Sequence, residues 1–162
     1  MLRGPVFYDS GSRMAHAYFP TTSIISKLYL TENGDSNEIA LLGREGIISS
    51  SLFIGGALTH GRAVLQSMGH GYRIQAQLQL LGFNRAGPVH HLLLRCRQAL
   101  IRQMTQTAVC NRHHTLHQQL CRCLLLILDR LDGAERMTTQ ESMARMLGVR
   151  REGVTKAMRA CR

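Results

Sequence analysis

The sequence predicts an α+β chain: an antiparallel β-roll of the jelly-roll or cupin-like kind, a long helix, and a C-terminal helical part organised around a helix-turn-helix. Three observations predict it. Before Gly87 and Pro88 the chain is written in short apolar runs punctuated by glycine, and after them in long helical runs. From Val89 to about Val109, neither glycine nor proline interrupts an apolar recurrence at three- and four-residue steps. Between Gln140 and Arg159, two short helical patterns meet at Gly148. The boundaries implied are residues 1–87 for the roll, 88–112 for the long helix and a hinge, and 113–162 for the helix-turn-helix part.

In the roll, strand-like runs occupy Val6 to Tyr8, Ala15 to Phe19, Ser23 to Leu30, Glu38 to Leu42, Arg62 to Gln66 and Tyr72 to Gln75. Turn-forming residues separate them: Asp9-Ser10-Gly11, Glu32-Asn33-Gly34-Asp35, Gly43, Gly55-Gly56 and Gly69-His70-Gly71. Short strands at regular spacing with such turns suit an antiparallel sandwich or barrel. A hydrophobic fraction of 44% is enough to fill one core. Gln77 to Asn84 reads as a short helix leading out of the roll.

Pro88 fits the first position of a helix, where its missing N–H costs nothing. A helix of about 20 residues spans roughly 30 Å. Val89, Leu93, Cys96, Leu100, Met104 and Thr107 form one stripe, with Leu94, Ile101 and Ala108 forming a second beside it. Two apolar stripes need two surfaces, the chain's own sheet and a partner. The same helix of a second copy, packed as a coiled coil, is the expected partner. The first stripe, from Val89 to Thr107, is expected to form that dimer interface. Asn111 to His114 interrupts the pattern as a hinge, and Thr115 can cap a following helix. That helix runs from Leu116 to Leu131 with Leu120, Leu124, Ile127, Leu128 and Leu131 on one face, and Asp132-Gly133-Ala134 closes it.

The stretch from Thr138 carries the most information. Thr138, Thr139, Gln140 and Glu141 satisfy the capping-box spacing, with Thr138 as N-cap and Glu141 reaching back. Met143, Ala144 and Leu147 give the first short helix an apolar face that Gly148 ends. A second helix starts at Arg150 or Arg151 and buries Val154 and Met158. Small Ala144 lets the helices approach, Gly148 permits a sharp left-handed turn, and Val154 plugs the angle; this is helix-turn-helix geometry. The outer face of the second helix offers Arg150, Arg151, Glu152, Thr155 and Lys156. Arginine can hold guanine O6 and N7 together, glutamate can accept from cytosine N4, and lysine or threonine can hold phosphate or base edges. Charge agrees with a polyanionic partner. Lys and Arg total 20 against 10 acidic residues, a formal charge of +10. From Glu141 onward, six basic residues face only Glu141 and Glu152.

The run Arg151-Glu152-Gly153-Val154-Thr155-Lys156 resembles the recognition helix of the Crp/Fnr regulators, and the order of roll, long helix and hinge is similar to that family's. The resemblance implies a cyclic-nucleotide-binding-like β-roll, a homodimer and a winged helix-turn-helix that binds DNA. It implies that Arg151 and Glu152 read bases, that Lys156 holds base or phosphate, and that Thr139 and Gln140 contact phosphate. Nucleotide-binding members carry a Gly-Glu pair some residues before Arg-Ser/Thr-Ala. Here Ile48-Ser49-Ser50-Ser51-Leu52-Phe53 stands in the corresponding stretch, with Arg62 and Ala63 further on as the effector-binding counterparts. Cyclic AMP is therefore not expected to bind in the family's usual way, and any small-molecule effector is unknown. The chain also starts almost at its first strand and stops at Arg162, before a wing, so truncation at both ends is expected. The function implied is DNA-binding transcription regulation. The alternative is a dimeric interaction module, or a decayed paralogue, that has lost specific DNA binding.

Other classes find little support. Five cysteines at positions 96, 110, 121, 123 and 161 include no Cys-x-x-Cys pair and read as free thiols. His113, His114 and His117 cluster without an acidic or cysteine partner, so no metal is expected. His16, His60 and His70 lack the spacing of a cupin metal site, and no catalytic triad or phosphate loop occurs, so neither enzyme activity nor a cofactor is expected. The longest apolar run, Leu124 to Leu128, falls far short of the roughly 18 residues of a membrane span. With no secretory signal pattern either, the expectation is a cytoplasmic protein without a membrane partner.

Overall fold

The computed structural model describes residues 5–33, 36–48, 59, 61–130 and 140–159. Along them run β1 (Val6–Tyr8), β2 (His16–Pro20), β3 (Ile24–Leu30), β4 (Ser36–Leu42), β5 (Arg62–Ser67) and β6 (Gly71–Gln75). The helices follow: α1 (Ala76–Asn84), α2 (Pro88–His113), α3 (Leu116–Leu128), α4 (Gln140–Met146) and α5 (Arg151–Arg159). The α+β architecture is the one the sequence predicts, with the strands antiparallel throughout.

One sheet has the order β1-β5-β3-β4, and β2 pairs with β6 in a second. An isolated bridge from Tyr18 to Ile48 extends the second sheet. β3 lies between its hairpin partner β4 and the later strand β5, with Ile25 opposite Leu42 on one side and Leu65 on the other. Successive strand side chains point to opposite faces. Ile25, Ala40, Leu42 and Ala63 therefore turn inward, into a core with Met14 and Ile48. Ile24 and Leu41 turn the other way, onto Cys123 and Ile127 of α3 and Met146 of α4. The sheet is thus covered on both faces, by the second sheet and Leu100 of α2 on one and by α3 and α4 on the other, which is why β3 and the end of β4 carry consecutive apolar residues rather than strict alternation. Gly61 enters β5 with φ +90°, where a Cβ would run into the carbonyl oxygen of Leu28. Glycine alone fits that turn.

α2 continues through Asn111, Arg112 and His113, past the expected break. Polar side chains on an exposed face do not stop a helix. What stops it is the extended backbone of His114 and Thr115, where Thr115 caps α3 in a reciprocal capping box with Gln118. α3 ends at Leu128, and Leu131 with the following Asp132-Gly133-Ala134 lies outside the described residues.

The long helix departs from the expected dimer seam. Leu93 and Leu100, only 5% and 7% exposed, pack into the chain's own roll, with Cys96 and Met104 beside them. Thr107 is half-buried on the same flank, while Val89 is exposed and borders α1 at Gly82. The middle of this stripe, at Leu93 and Leu100, is covered by covalently tethered sheet, which needs no second copy and no association entropy. The apolar residues left facing outward belong to the neighbouring stripe, Leu94 at 42% and Ile101 at 46% exposure, flanked by Leu92 and Val109.

Candidate nucleic-acid interface

α4 and α5 form a tight pair on α3. Val154, with 0% exposure, sits among Met143, Ala144 and Ala157, and Leu120 of α3 closes the cluster from below. Gly148 lies between the helices with φ +64°. The Val149 N–H donates to the Ala144 carbonyl at 2.9 Å and the Leu147 N–H to the Met143 carbonyl at 3.0 Å. The first of these is the six-to-one bond of a Schellman C-cap, which needs a left-handed residue where Gly148 stands. A Cβ at Gly148 would also meet the side-chain oxygen of Asn37 on β4. On the other side, Gly153 lets Leu116 of α3 approach α5, since a Cβ there would lie 3.2 Å from its Cδ2. The sequence motif is therefore a packing solution, with small residues at the crossings and valine at the centre.

This packing fixes which side chains face outward. Arg150, Arg151, Glu152 and Lys156 are exposed at the first turns of α5, and Arg159 is exposed at its end. Arg150 occupies the cap position, its carbonyl accepting from the Gly153 N–H at 3.0 Å. The amino-terminal end of α5 adds its own partial positive charge to those arginines. Thr155 is placed differently. Half-buried, it donates to the Gln140 side-chain oxygen and the Arg151 carbonyl, each at 3.1 Å. Gln140 and Thr155 thus brace the start of α4 against α5, a role sequence spacing did not reveal. Thr139 and the Thr138 cap lie outside the described residues, as does the side chain of Glu141.

The effector candidates separate. Ala63 is buried in the roll core, whereas Arg62 pairs through Nε with Asp9 of the β1–β2 turn, part-exposed to solvent. Ser49, Ser50 and Ser51 lie outside the described residues. No disulfide joins Cys96, Cys110 and Cys123 to one another. Among the described residues no group of three or more potential ligands could hold a metal ion, and no helix is long and apolar enough to cross a membrane.

The junction between roll and helical part carries a titratable group that sequence reading missed. Glu38 of β4, next to α3, accepts a hydrogen bond from Ser26. Desolvation pushes its carboxyl up to about 8 from 4.5, against the opposing pull of Ser26, Arg122 and Arg130. Burial likewise pushes the neighbouring Cys123 thiol up to about 12, and lowers Lys27 from its ordinary value, helped by Arg97. Folding raises the Glu38 value, so the folded chain keeps a proton that the unfolded chain releases between about pH 4.5 and 8. The stabilisation is complete below the unfolded value and is lost as pH rises through the folded one. Because the Glu38 residue keeps some exposed area, the expected loss is modest, about 2 kcal/mol. Thermal melts of the unmodified chain and Glu38→Gln at pH 5 and pH 8.5 check it. The variant should lose less on going to pH 8.5, and parallel losses would refute the assignment.

A β-roll joined by a long helix to a helix-turn-helix is the fold of the Crp/Fnr transcription regulators, and this chain has that fold. It is similar to FixK2 from Bradyrhizobium japonicum at a TM-score of 0.82 and 14% identity, covering 98% of this chain and 80% of that one. A CRP-family transcriptional regulator from Thermus thermophilus gives 0.75 and 16%, covering 99% and 82%. CLP from Xanthomonas campestris, a c-di-GMP responsive global regulator, gives 0.73 and 13%, covering 99% and 84%. By sequence, no family model and no curated protein matches the chain.

Proposed function

We propose that this chain is a homodimeric, cytoplasmic DNA-binding transcription regulator of the Crp/Fnr type, not an enzyme. The carrying observation is the exposed set Arg150, Arg151, Glu152 and Lys156 on the first turns of α5. That helix is held at a fixed angle by the buried Val154 and the Gly148 turn. Fixed orientation is what base readout requires, since phosphate contacts position a helix and base contacts specify sequence. The dimer forms through the outer stripe of α2, where Leu94, Ile101 and Ala108 recur at the heptad spacing of a coiled-coil seam. The roll senses a signal, and a cyclic nucleotide is not held in the family's usual manner. Supporting this, Arg62 already donates to Asp9, and the sequence offers serines where a glutamate would hold the ribose.

A fluorescence-anisotropy titration with pseudo-palindromic and scrambled duplexes at two salt concentrations tests the reading. Affinity should fall steeply with salt, as released counterions require, and palindromic duplexes should bind more tightly. No binding even at low salt would refute it.

A further inference from the structure

Below the roll, where the loop after β4, the flank of α2 and the face of α3 meet, lies an open cleft of about 480 Å³. Its walls carry Arg102 from α2 and Arg122 and Arg130 at α3, against a single carboxylate, Glu45. Its floor is apolar, with Leu100 and Leu126 among the lining residues. Arg130 is held rigidly. Its side chain is only 9% exposed, with Nε donating to Glu45 at 2.7 Å and Nη1 to the Leu126 carbonyl at 2.9 Å. Neither Arg62 nor Ala63 lines this cleft.

We propose that this cleft binds an amphiphilic organic anion, with its acidic head on the guanidinium groups of Arg102 and Arg122 and its apolar body on Leu100 and Leu126. Three cations against Glu45 and the outlying Asp129, which is 81% exposed and 3.8 Å from Arg130, leave a net positive charge in a partly desolvated site and favour a single added negative one. Nearby Glu38 does not cancel them, because its raised value keeps it mostly protonated at neutral pH. The volume suits a carboxylate of roughly 10 to 20 heavy atoms rather than an inorganic ion. Such a ligand touches the roll, the dimer helix and α3 at once. It therefore favours one setting of the helical part on the roll, in addition to the Glu45–Arg130 pair that already ties them. This inference deepens the regulator reading, and depends on it for the consequence of binding but not for binding itself.

The test is calorimetric titration of the full chain, without DNA, with decanoate and 2-naphthoate, using decyltrimethylammonium as the cationic control. At least one anion should bind saturably at one per chain, and the cation should not. Arg122→Gln should weaken binding at least tenfold, and Ala99→Trp, which fills the cleft from its rim, should abolish it. Arg62→Gln should leave it unchanged. Thermal melts establish that each variant is folded. Binding of the cation as tightly as the anions, anion binding indifferent to both Arg122→Gln and Ala99→Trp, or no binding of either anion would overturn the proposal. DNA binding is measured separately, so its failure would leave the cleft result standing.

Discussion

Ile101→Asp is expected to separate the proposed dimer into monomers and to weaken binding to a two-half-site duplex about a hundredfold, because each half-site would then be held without its tethered neighbour. Ile101 stands midway along the outward stripe of α2, between Leu94 and Ala108. In a two-fold seam each substitution appears twice, so two uncompensated carboxylates would face one another in an apolar contact. The folded monomer should survive, because Ile101 is 46% exposed and leaves the roll core untouched. Leu100→Asp, one position along, should behave in the opposite way. It places a charge among Ile25, Leu42 and Ala63, and the cost of several kcal/mol falls on folding itself. Sedimentation equilibrium with thermal melts separates the two outcomes. An unmodified chain that is monomeric at tens of micromolar would overturn the seam.

Arg151→Ala is expected to cost about 1–3 kcal/mol, roughly 5- to 150-fold, and to relax sequence preference at one base pair of each half-site. Its position on the first turn of α5 puts the guanidinium where a recognition helix enters the major groove. Lys156→Ala, one turn further on, should weaken palindromic and scrambled duplexes alike and flatten the salt dependence by about one ion. The same anisotropy titration distinguishes them. If both variants weaken all duplexes equally, α5 supplies only phosphate contacts and specificity resides elsewhere. Thr155→Ala should resemble neither, because its hydroxyl is spent on Gln140 and the Arg151 carbonyl. Its effect should appear in stability.

The strands, the long helix and the helix-turn-helix were legible because each depends on local patterns. Glycine and Asn-rich turns cut the roll into short runs, Pro88 opens α2, and Ala144, Gly148 and Val154 sit where a helix pair must be small, left-handed and apolar. Residue type and spacing carry that information without reference to distant contacts. The end of α2 is not legible from polarity, because the polar run Asn111 to His113 stays helical and the stop is the capping geometry of Thr115. The consecutive apolar residues Ile24 and Ile25, and Ala40 to Leu42, reflect a sheet covered on both faces, a consequence that becomes visible only in the fold. They do not say which helices supply the cover.

By itself the sequence determined the order of elements, the packing code of α4 and α5, and the chemistry available on the outer face of α5. Only the tertiary structure decided which α2 stripe meets the sheet. Two stripes of similar apolarity are indistinguishable by period, and the register of the helix on the roll is chosen by the shapes it meets, here Leu93 and Leu100 in their pockets. It also decided that Thr155 and Gln140 brace the helix pair, that Arg62 finds Asp9, and that Glu38 is buried against Ser26 within the electrostatic reach of Arg122 and Arg130. The Arg62–Asp9 pair joins residues 53 positions apart, and the arginines that act on Glu38 are more than 80 positions from it. Charge and hydrogen bonding at that separation depend on where the folded chain brings the groups, which no local periodicity encodes.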